Sequence, residues 1–174
     1  MTAAEFDALP EEEGRRWELI DGELVEVPSG TPQHNLILVN IALLLRDSAQ
    51  GGKLGTVLPF TDLAADPATR LRPDLGYFSR QTWETVDIRK VPVAATPDIA
   101  IEIISPSETA AMIERKVKKY LDWGVREVWL LYPETRAIYV HVRAGARALS
   151  EGAELTSELI PGFSVPVAEV FDTD

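Results

Sequence analysis

A nearly continuous apolar segment, from Ile99 to Ile104, constrains the fold of this chain more than any other feature. A short run of this kind is typical of a central strand that is covered on both faces, as in α/β proteins. A single charged residue, Glu102, interrupts it. Because an unpaired carboxylate is costly to bury, we expect Glu102 to be paired, protonated or bound to a metal ion.

A helical pattern separates this segment from a second apolar strand. The pattern predicts a helix from about Glu108 to Trp123, ended by Gly124, and a strand from Glu127 to Tyr132. A strand–helix–strand unit of this kind is nearly always right-handed with parallel strands. Two further strands are predicted upstream, at Gly55 to Ala64 and at Asp74 to Phe78, and residues 79 to 96 form a long, partly helical loop.

The N-terminal part predicts a hairpin followed by a helix. Asp21-Gly22 lies between the apolar strands Trp17–Ile20 and Glu23–Val27, and this dipeptide favours a type I′ turn. Thr31-Pro32 then begins an apolar helix that ends at Gly51-Gly52. After Tyr132 the sequence predicts a strand from Ala137 to Arg143, a weaker pair of strands near Ala148 and Leu155, and an extended tail.

Length and composition limit the class of protein. The 174 residues fit one domain, 1–174, in which 1–15 form an N-terminal segment. The chain has no cysteine, which excludes disulfides, thiolate zinc sites and a cysteine nucleophile. No apolar run reaches the ~20 residues of a membrane helix, and no signal peptide is recognisable, so we expect a cytoplasmic protein without membrane contact. A net charge of −11 argues against a non-specific DNA coat but is compatible with a nuclease.

Two carboxylates indicate a metal site. Asp74 begins one predicted strand and Glu102 lies inside another. Carboxylates from neighbouring strands provide the hard oxygen ligands that Mg²⁺ or Mn²⁺ prefers. The alternatives are an aspartate that caps a turn and a glutamate that pairs with an arginine.

One lysine of the second helix borders its buried face. At 3.6 residues per turn, Lys116 falls beside the apolar stripe, whereas Arg115 and Lys118 fall on the exposed side and Lys119 lies opposite the stripe. Lys116 is therefore the basic residue best placed to reach Asp74 and Glu102. The alternative is a lysine whose stem only covers apolar surface.

Several segments, taken in order, carry a family resemblance. They are RWELIDGELVE, the helix beginning TPQHNLIL, RPDLGYFS, PDIAIEIISPS, the helix ending YLDWGVREVWLLYPE, and IPGFSVPVAEVF. From Trp17 to Phe171 the chain resembles the Uma-type endonuclease-like family, a branch of the PD-(D/E)XK nuclease superfamily. The resemblance implies an α/β restriction-endonuclease-like fold, with a mixed central sheet flanked by helices and an N-terminal β-hairpin.

The resemblance also implies a metal-dependent phosphodiesterase site. Asp74 matches the superfamily aspartate and Glu102 its (D/E) position, and the carbonyl of Ile103 would be a further metal ligand. Lys116 matches the lysine that similar family members carry on the following helix. Glu23 matches a further acidic position, a metal ligand, with Glu18 as a weaker candidate.

Three other positions bear on this site. Ile104 stands where the superfamily usually has its lysine, and Met112 stands where the family often has an acidic residue. His34 resembles a recurring family histidine, which would either line the cleft or have a capping or packing role.

The predicted function is Mg²⁺- or Mn²⁺-dependent hydrolysis of DNA phosphodiester bonds by Asp74, Glu102 and Lys116. One alternative is a non-catalytic member with a structural or nucleic-acid-binding role, and another is a nuclease acting on RNA or a different phosphodiester. The apolar helix that begins at Thr31-Pro32 suggests a homodimer, and the resemblance to a superfamily whose members commonly dimerise implies the same.

Overall fold

A computed structural model describes residues 1–10, 15–27, 29–49 and 53–173. The predicted end of the first long helix at Gly51-Gly52 lies outside these ranges. The helices are α1 (Ala3–Asp7), α2 (Pro32–Ser48), α3 (Arg80–Trp83), α4 (Ala110–Trp123) and α5 (Val167–Val170). The strands are β1 (Arg16–Ile20), β2 (Glu23–Val27), β3 (Gly55–Pro59), β4 (Leu63–Asp66), β5 (Thr69–Leu71), β6 (Leu75–Ser79), β7 (Ile99–Ile103), β8 (Glu127–Tyr132), β9 (Ala137–Val142), β10 (Gly145–Leu149), β11 (Glu154–Thr156) and β12 (Ser164–Pro166).

A six-stranded mixed sheet forms the centre of the molecule, in the order β10-β9-β8-β7-β6-β3. Strands β7 and β8 are parallel and joined through α4, as the crossover pattern predicts, whereas the other pairs are antiparallel. Helices flank this sheet, so the predicted fold class is confirmed. In the described part of the chain, no helix combines the length and apolar character needed to cross a bilayer.

A second sheet, in the order β2-β1-β5-β4, was not predicted. The expectation of one strand from Gly55 to Ala64 is wrong because Phe60 has a left-handed backbone, with φ of 47°. This turn ends β3 in the central sheet and sends β4 into the second sheet. The weaker strands expected near Ala148 and Leu155 are present as β10 and β11; β10 pairs with β9, and β11 pairs with β12.

The two faces of β7 meet different helices because side chains alternate along a strand. Ile99, Ile101 and Ile103 lie in the core cluster that includes buried residues of α2. Ala100 lies in the cluster that includes buried residues of α4. By alternation Glu102 shares the face of Ala100, and the strand therefore directs its one carboxylate toward α4.

The turn of the β1–β2 hairpin is attached to α4 by ion pairs. Asp21 and Gly22 both have positive φ, of 54° and 79°, as the predicted turn type requires. The ammonium of Lys119 contacts the carboxylates of Asp21 and Asp66. Lys119 therefore faces the second sheet rather than solvent.

Arg115 makes a similar attachment. Its guanidinium lies 2.5 Å from Glu23 and donates a hydrogen bond of 2.7 Å to the carbonyl of Ile20. The expectation that Arg115 points into solvent is wrong because the unpredicted second sheet covers this side of α4. Lys118 does point outward, with a side chain that is 76% exposed, and it pairs with Asp122.

Replacing Asp21 by asparagine tests this attachment, and asparagine keeps the tolerance for positive φ. We expect a loss of about 0.2–1 kcal/mol in the free energy of unfolding at neutral pH. The hydrogen bond from Lys119, helped by Arg115, holds the pKa of Asp21 below its usual range. The contribution of Asp21 is therefore complete above the ordinary aspartate pKa of about 3.9 and disappears as the pH falls through the lowered value. Urea unfolding of both proteins across this pH range measures it; a difference that persists in strong acid would contradict it.

Candidate active site

Asp74 lies immediately before β6, one residue outside the strand that was predicted to contain it. Strand β6 runs antiparallel to β7, with Leu75 opposite Ile101. This register brings Asp74 to the end of β7, where its Oδ2 accepts a hydrogen bond of 2.7 Å from the amide of Ile103. Asp74 and Glu102 thus meet at one end of two adjacent strands.

Lys116 reaches inward from α4, as the helical period predicts. Its Nζ lies 2.9 Å from Oε1 of Glu102 and 3.1 Å from Oε2 of Glu18. One helical turn later, the hydroxyl of Tyr120 donates a hydrogen bond of 2.6 Å to the same Glu102 oxygen. All four side chains are buried. The single charged residue of β7 is therefore paired by a cation and a hydroxyl of the helix that covers it.

Glu18 supplies the second carboxylate to Lys116, and Glu23 does not reach this cluster. The Oε1 atom of Glu18 accepts a hydrogen bond of 2.7 Å from the amide of Arg72, so both of its oxygens are engaged. Glu23 lies near the hairpin turn, where its exposed side chain pairs with Arg115. The weaker of the two candidate acids is thus the one that the structure brings to the lysine.

His34 is a neighbour of Asp74. The residue pattern alone does not decide whether its side chain lines the cleft or has a capping or packing role. Thr31 caps α2, and its hydroxyl accepts a hydrogen bond of 3.2 Å from the amide of His34. In this first turn the Nε2 of His34 lies 3.2 Å from Oδ1 of Asp74. Burial lowers the pKa of His34, but the hydrogen bond and charge of Asp74 outweigh it and raise the pKa overall.

Burial and mutual contact shift the pKa values of this cluster. Burial raises the pKa of Glu102, the carboxylates of Asp74 and Glu18 add to the rise, and Lys116 opposes it. Burial alone would lower the pKa of Lys116, but Glu102 and Glu18 raise it well above its usual range. Burial, followed by the charge of Glu102, raises the pKa of the Tyr120 hydroxyl. Lys116 is therefore a charged donor at any physiological pH.

A cavity of about 140 Å³, called here the site cavity, opens onto these groups. Its lining includes His34, Asp74, Glu102, Ile103 and Lys116. A larger groove of about 480 Å³ lies between α4 and β9, but apolar side chains and the exposed pair of Lys118 and Asp122 account for much of its lining. The site cavity is where carboxylates and a buried lysine converge.

The donor set of the site cavity is suited to a hard divalent cation. Within the described ranges, no group of three or more His, Cys, Asp or Glu side chains is arranged to hold a metal ion. Asp74, Glu102 and the main-chain carbonyl of Ile103 would supply oxygen ligands on one side only. Mg²⁺ commonly keeps several waters and binds through one or two carboxylates, so these residues fit it as a partial shell.

Comparisons with known proteins agree with this architecture. A crystal structure described as "a putative nuclease belonging to DUF820 from Anabaena variabilis ATCC 29413" superimposes with a TM-score of 0.84. It shares 18% sequence identity, and the match covers 98% of this chain and 97% of that one, which establishes a common fold. No curated protein matches the chain. The model of the Uma2 family, described as "Putative restriction endonuclease", matches residues 3–168, and the chain therefore belongs to that family.

Proposed function

We propose that this protein is a divalent-metal-dependent endonuclease that hydrolyses phosphodiester bonds of DNA. The observation that carries the proposal is the meeting of Asp74, Glu102 and Lys116 at one cavity, although they come from three separate elements. Membership of the Uma2 family supports a nuclease. In metal-assisted phosphodiester hydrolysis, carboxylates hold the ion, and the ion and a lysine offset the negative charge that accumulates in the transition state.

Asp74, Glu102 and the carbonyl of Ile103 would hold Mg²⁺ or Mn²⁺. When bound, the ion neutralises charge on the phosphate and lowers the pKa of a bound water. Asp74 is oriented for this role by two hydrogen-bonding neighbours, the amide of Ile103 and the imidazole of His34. Such preorganisation spares the site from rearranging during the reaction.

Lys116 would orient the attacking water or stabilise the charge that develops on the phosphate. It stays protonated because Glu102 and Glu18 raise its pKa. Glu18 acts through the lysine as a positioning residue, since its other oxygen is fixed by the amide of Arg72. The departure at Ile104 is compatible with this arrangement, because Ile104 is buried with the apolar residues of α4 while Lys116 takes the polar position.

A plasmid-nicking assay with metal titration tests the function. We expect the parent protein to cleave DNA, supplied both as supercoiled plasmid and as a single-stranded circle, with Mg²⁺ or Mn²⁺ and to lose this activity with a chelator. Glu102→Gln keeps the size of the side chain and removes its charge, and we expect it to be inactive at every metal concentration. A matched control is Glu127→Gln on β8, whose carboxylate binds Trp129 and Ser157 instead. Nicking by Glu102→Gln at the parent rate would refute the role of Glu102 in cleavage. Cleavage of RNA but not of DNA by the parent protein would support the alternative of a nuclease that acts on RNA.

A non-catalytic, structural or nucleic-acid-binding role is the second candidate, and one observation favours it. Oε1 of Glu102 already contacts both Lys116 and Tyr120, which is also what a buried structural charge cluster would require. In that case metal would change neither the melting temperature nor any cleavage. Glu102→Gln would then alter stability alone.

A homodimer is the proposed assembly, and the exposed side of α2 supplies a surface for it. Leu36, Val39 and Leu43 are 47%, 50% and 53% exposed, at spacings of three and four residues. No charged residue occurs between Pro32 and Leu45. Spacings of three and four form a single apolar stripe along a helix, as in helices that pair. An antiparallel pairing would set Leu36 against Leu43 of the partner subunit.

Replacing Leu43 by glutamate is expected to convert the dimer to a monomer, because a charge would then be buried in the paired stripe. Sedimentation velocity measures the change. Lys118→Glu, an exposed substitution on α4, is expected to leave the dimer intact. A parent protein that sediments as a monomer would contradict the proposed assembly.

A further inference from the structure

A narrow cleft continues from the site cavity and is not used by the proposed chemistry. It shares His34, Arg72 and Asp74 with that cavity and extends to Arg16, Trp17 and Phe60. We call Arg16, Trp17 and Phe60 the aromatic rim. Arg16 is exposed, while Trp17 and Phe60 are partly exposed, so the rim is accessible beside the candidate catalytic groups.

The rim is connected to Asp74 through the backbone. The amide of Phe60 donates a hydrogen bond of 3.1 Å to the carbonyl of Asp74, and its φ of 47° places it in the left-handed region. A bulky side chain rarely adopts this conformation, and such residues concentrate at functional sites. The guanidinium of Arg16 lies 5.2 Å from the centre of the Phe60 ring, within the range of a cation–π contact.

The other nearby cations are already neutralised. Arg72 binds Asp62 through two contacts of 2.5 and 2.9 Å, and Lys116 is held by its two carboxylates. Arg115 and Lys119 are committed to the hairpin. Among the residues that the structure describes, Arg16 has no carboxylate within ion-pair distance. The cleft thus offers the guanidinium of Arg16 beside the ring of Phe60.

The groups in this cleft are poorly suited to bind the phosphate backbone of a duplex. Duplex binding depends on neutralising many phosphates with lysine and arginine, and this chain carries a net charge of −11. Unpaired strands also contact basic residues, but they gain about 1–3 kcal/mol per base from stacking on aromatic rings and arginine planes, which a paired duplex does not offer. Arg16 beside the ring of Phe60 provides that kind of contact.

We infer that the site takes an unpaired DNA strand, whose base stacks on the aromatic rim while the adjoining phosphate enters the site cavity. The inference rests on the proposed nuclease function and names its substrate class. Arg16 and Phe60 are substrate-binding residues in this scheme. The guanidinium of Arg16 lies 5.2 Å from the centre of the Phe60 ring, and its exposed side chain can offer a plane to a base and N–H groups to a phosphate.

Fluorescence anisotropy with two probes tests the inference. The probes are a labelled oligothymidylate of about 12 nucleotides and a labelled duplex of the same length, both with a chelator to prevent cleavage. We expect the parent protein to bind the single strand more tightly than the duplex. With Mg²⁺, we expect cleavage of a gapped or flapped duplex within its unpaired segment rather than in its paired arms.

Two variants and one control assign the effect to the rim. Phe60→Leu keeps the apolar bulk, and Arg16→Lys keeps the charge but removes the plane. Each is expected to weaken binding of the single strand by about five- to a hundred-fold, the range found when base stacking is lost, with little change for the duplex. Tyr139→Leu removes a 40% exposed aromatic ring outside the cleft and is expected to change neither affinity.

Duplex binding equal to or tighter than that of the single strand would overturn the inference, and so would unchanged binding by both rim variants. If Phe60→Leu fails to fold in a thermal melt, Arg16→Lys, with its exposed side chain, decides the matter. Failure of the proposed function is a separate result, because a parent protein that cleaves neither substrate with metal can still show the binding preference. Conversely, duplex cleavage that depends on Glu102 and is unchanged in both rim variants would support the proposed function and contradict the inference.

Discussion

Replacing Lys116 by methionine is expected to slow DNA cleavage by about 10²–10³-fold, the typical effect of losing one preorganised donor to transition-state charge. The same change removes the cation that faces the buried carboxylates of Glu18 and Glu102. Removing one partner of a buried ion pair costs about 3–5 kcal/mol. Nicking assays and urea unfolding should therefore both respond.

A second substitution separates catalysis from stability. In the double variant Lys116→Met with Glu18→Gln, one of the unpaired carboxylates becomes neutral, so we expect part of the stability to return while cleavage stays low. Lys118→Met is the matched control, because its exposed pair with Asp122 contributes little to stability. Cleavage by Lys116→Met at the parent rate would reduce Lys116 to a structural role.

Replacing Asp74 by asparagine is expected to abolish the response to metal. A bound ion stabilises the folded state by mass action, by about 2.7 kcal/mol when its concentration is a hundred times the dissociation constant. We therefore expect the melting temperature of the parent protein to rise with Mg²⁺ or Mn²⁺ and that of Asp74→Asn to stay constant. Cleavage by Asp74→Asn should fall by about a thousand-fold or more, since metal assistance is worth several kcal/mol.

Glu23→Gln is the control for the metal response, because Glu23 was a candidate ligand in the sequence and is paired with Arg115 in the structure. We expect this variant to keep both the metal-dependent rise in melting temperature and the cleavage. Loss of the rise in Glu23→Gln would show that the hairpin supplies a ligand after all. If millimolar metal does not change the melting temperature of the parent protein, the result would count against a preformed metal site.

The central elements of the fold were predictable because local signals and burial agree there. The β7–α4–β8 unit follows from two apolar runs around an amphipathic helix, and the side of Lys116 follows from the helical period. The second sheet was not predictable. Its strand β5 has three residues, and the break at Phe60 depends on a backbone angle that the sequence around it does not indicate.

The site was predictable where one strand or helix decides the direction of a side chain. Glu102 faces α4 because of strand alternation, and Lys116 faces Glu102 because of the helical period. The choice between Glu18 and Glu23 could not be made, since both lie in one hairpin and only its packing against α4 distinguishes them. The contact between His34 and Asp74 could not be predicted, because it depends on the distance between the start of α2 and the end of β7, and no local pattern encodes that distance.

The candidate catalytic cluster is assembled from distant parts of the polypeptide, because Glu18 and Lys116 are about 100 positions apart in the sequence. During translation the hairpin leaves the ribosome long before α4 is made, and β8 follows later still. A nascent chain therefore carries its acidic residues without the lysine that completes them. The proposed activity would therefore arise only after α4 and β8 have left the ribosome, and N-terminal fragments that end before α4 would lack it.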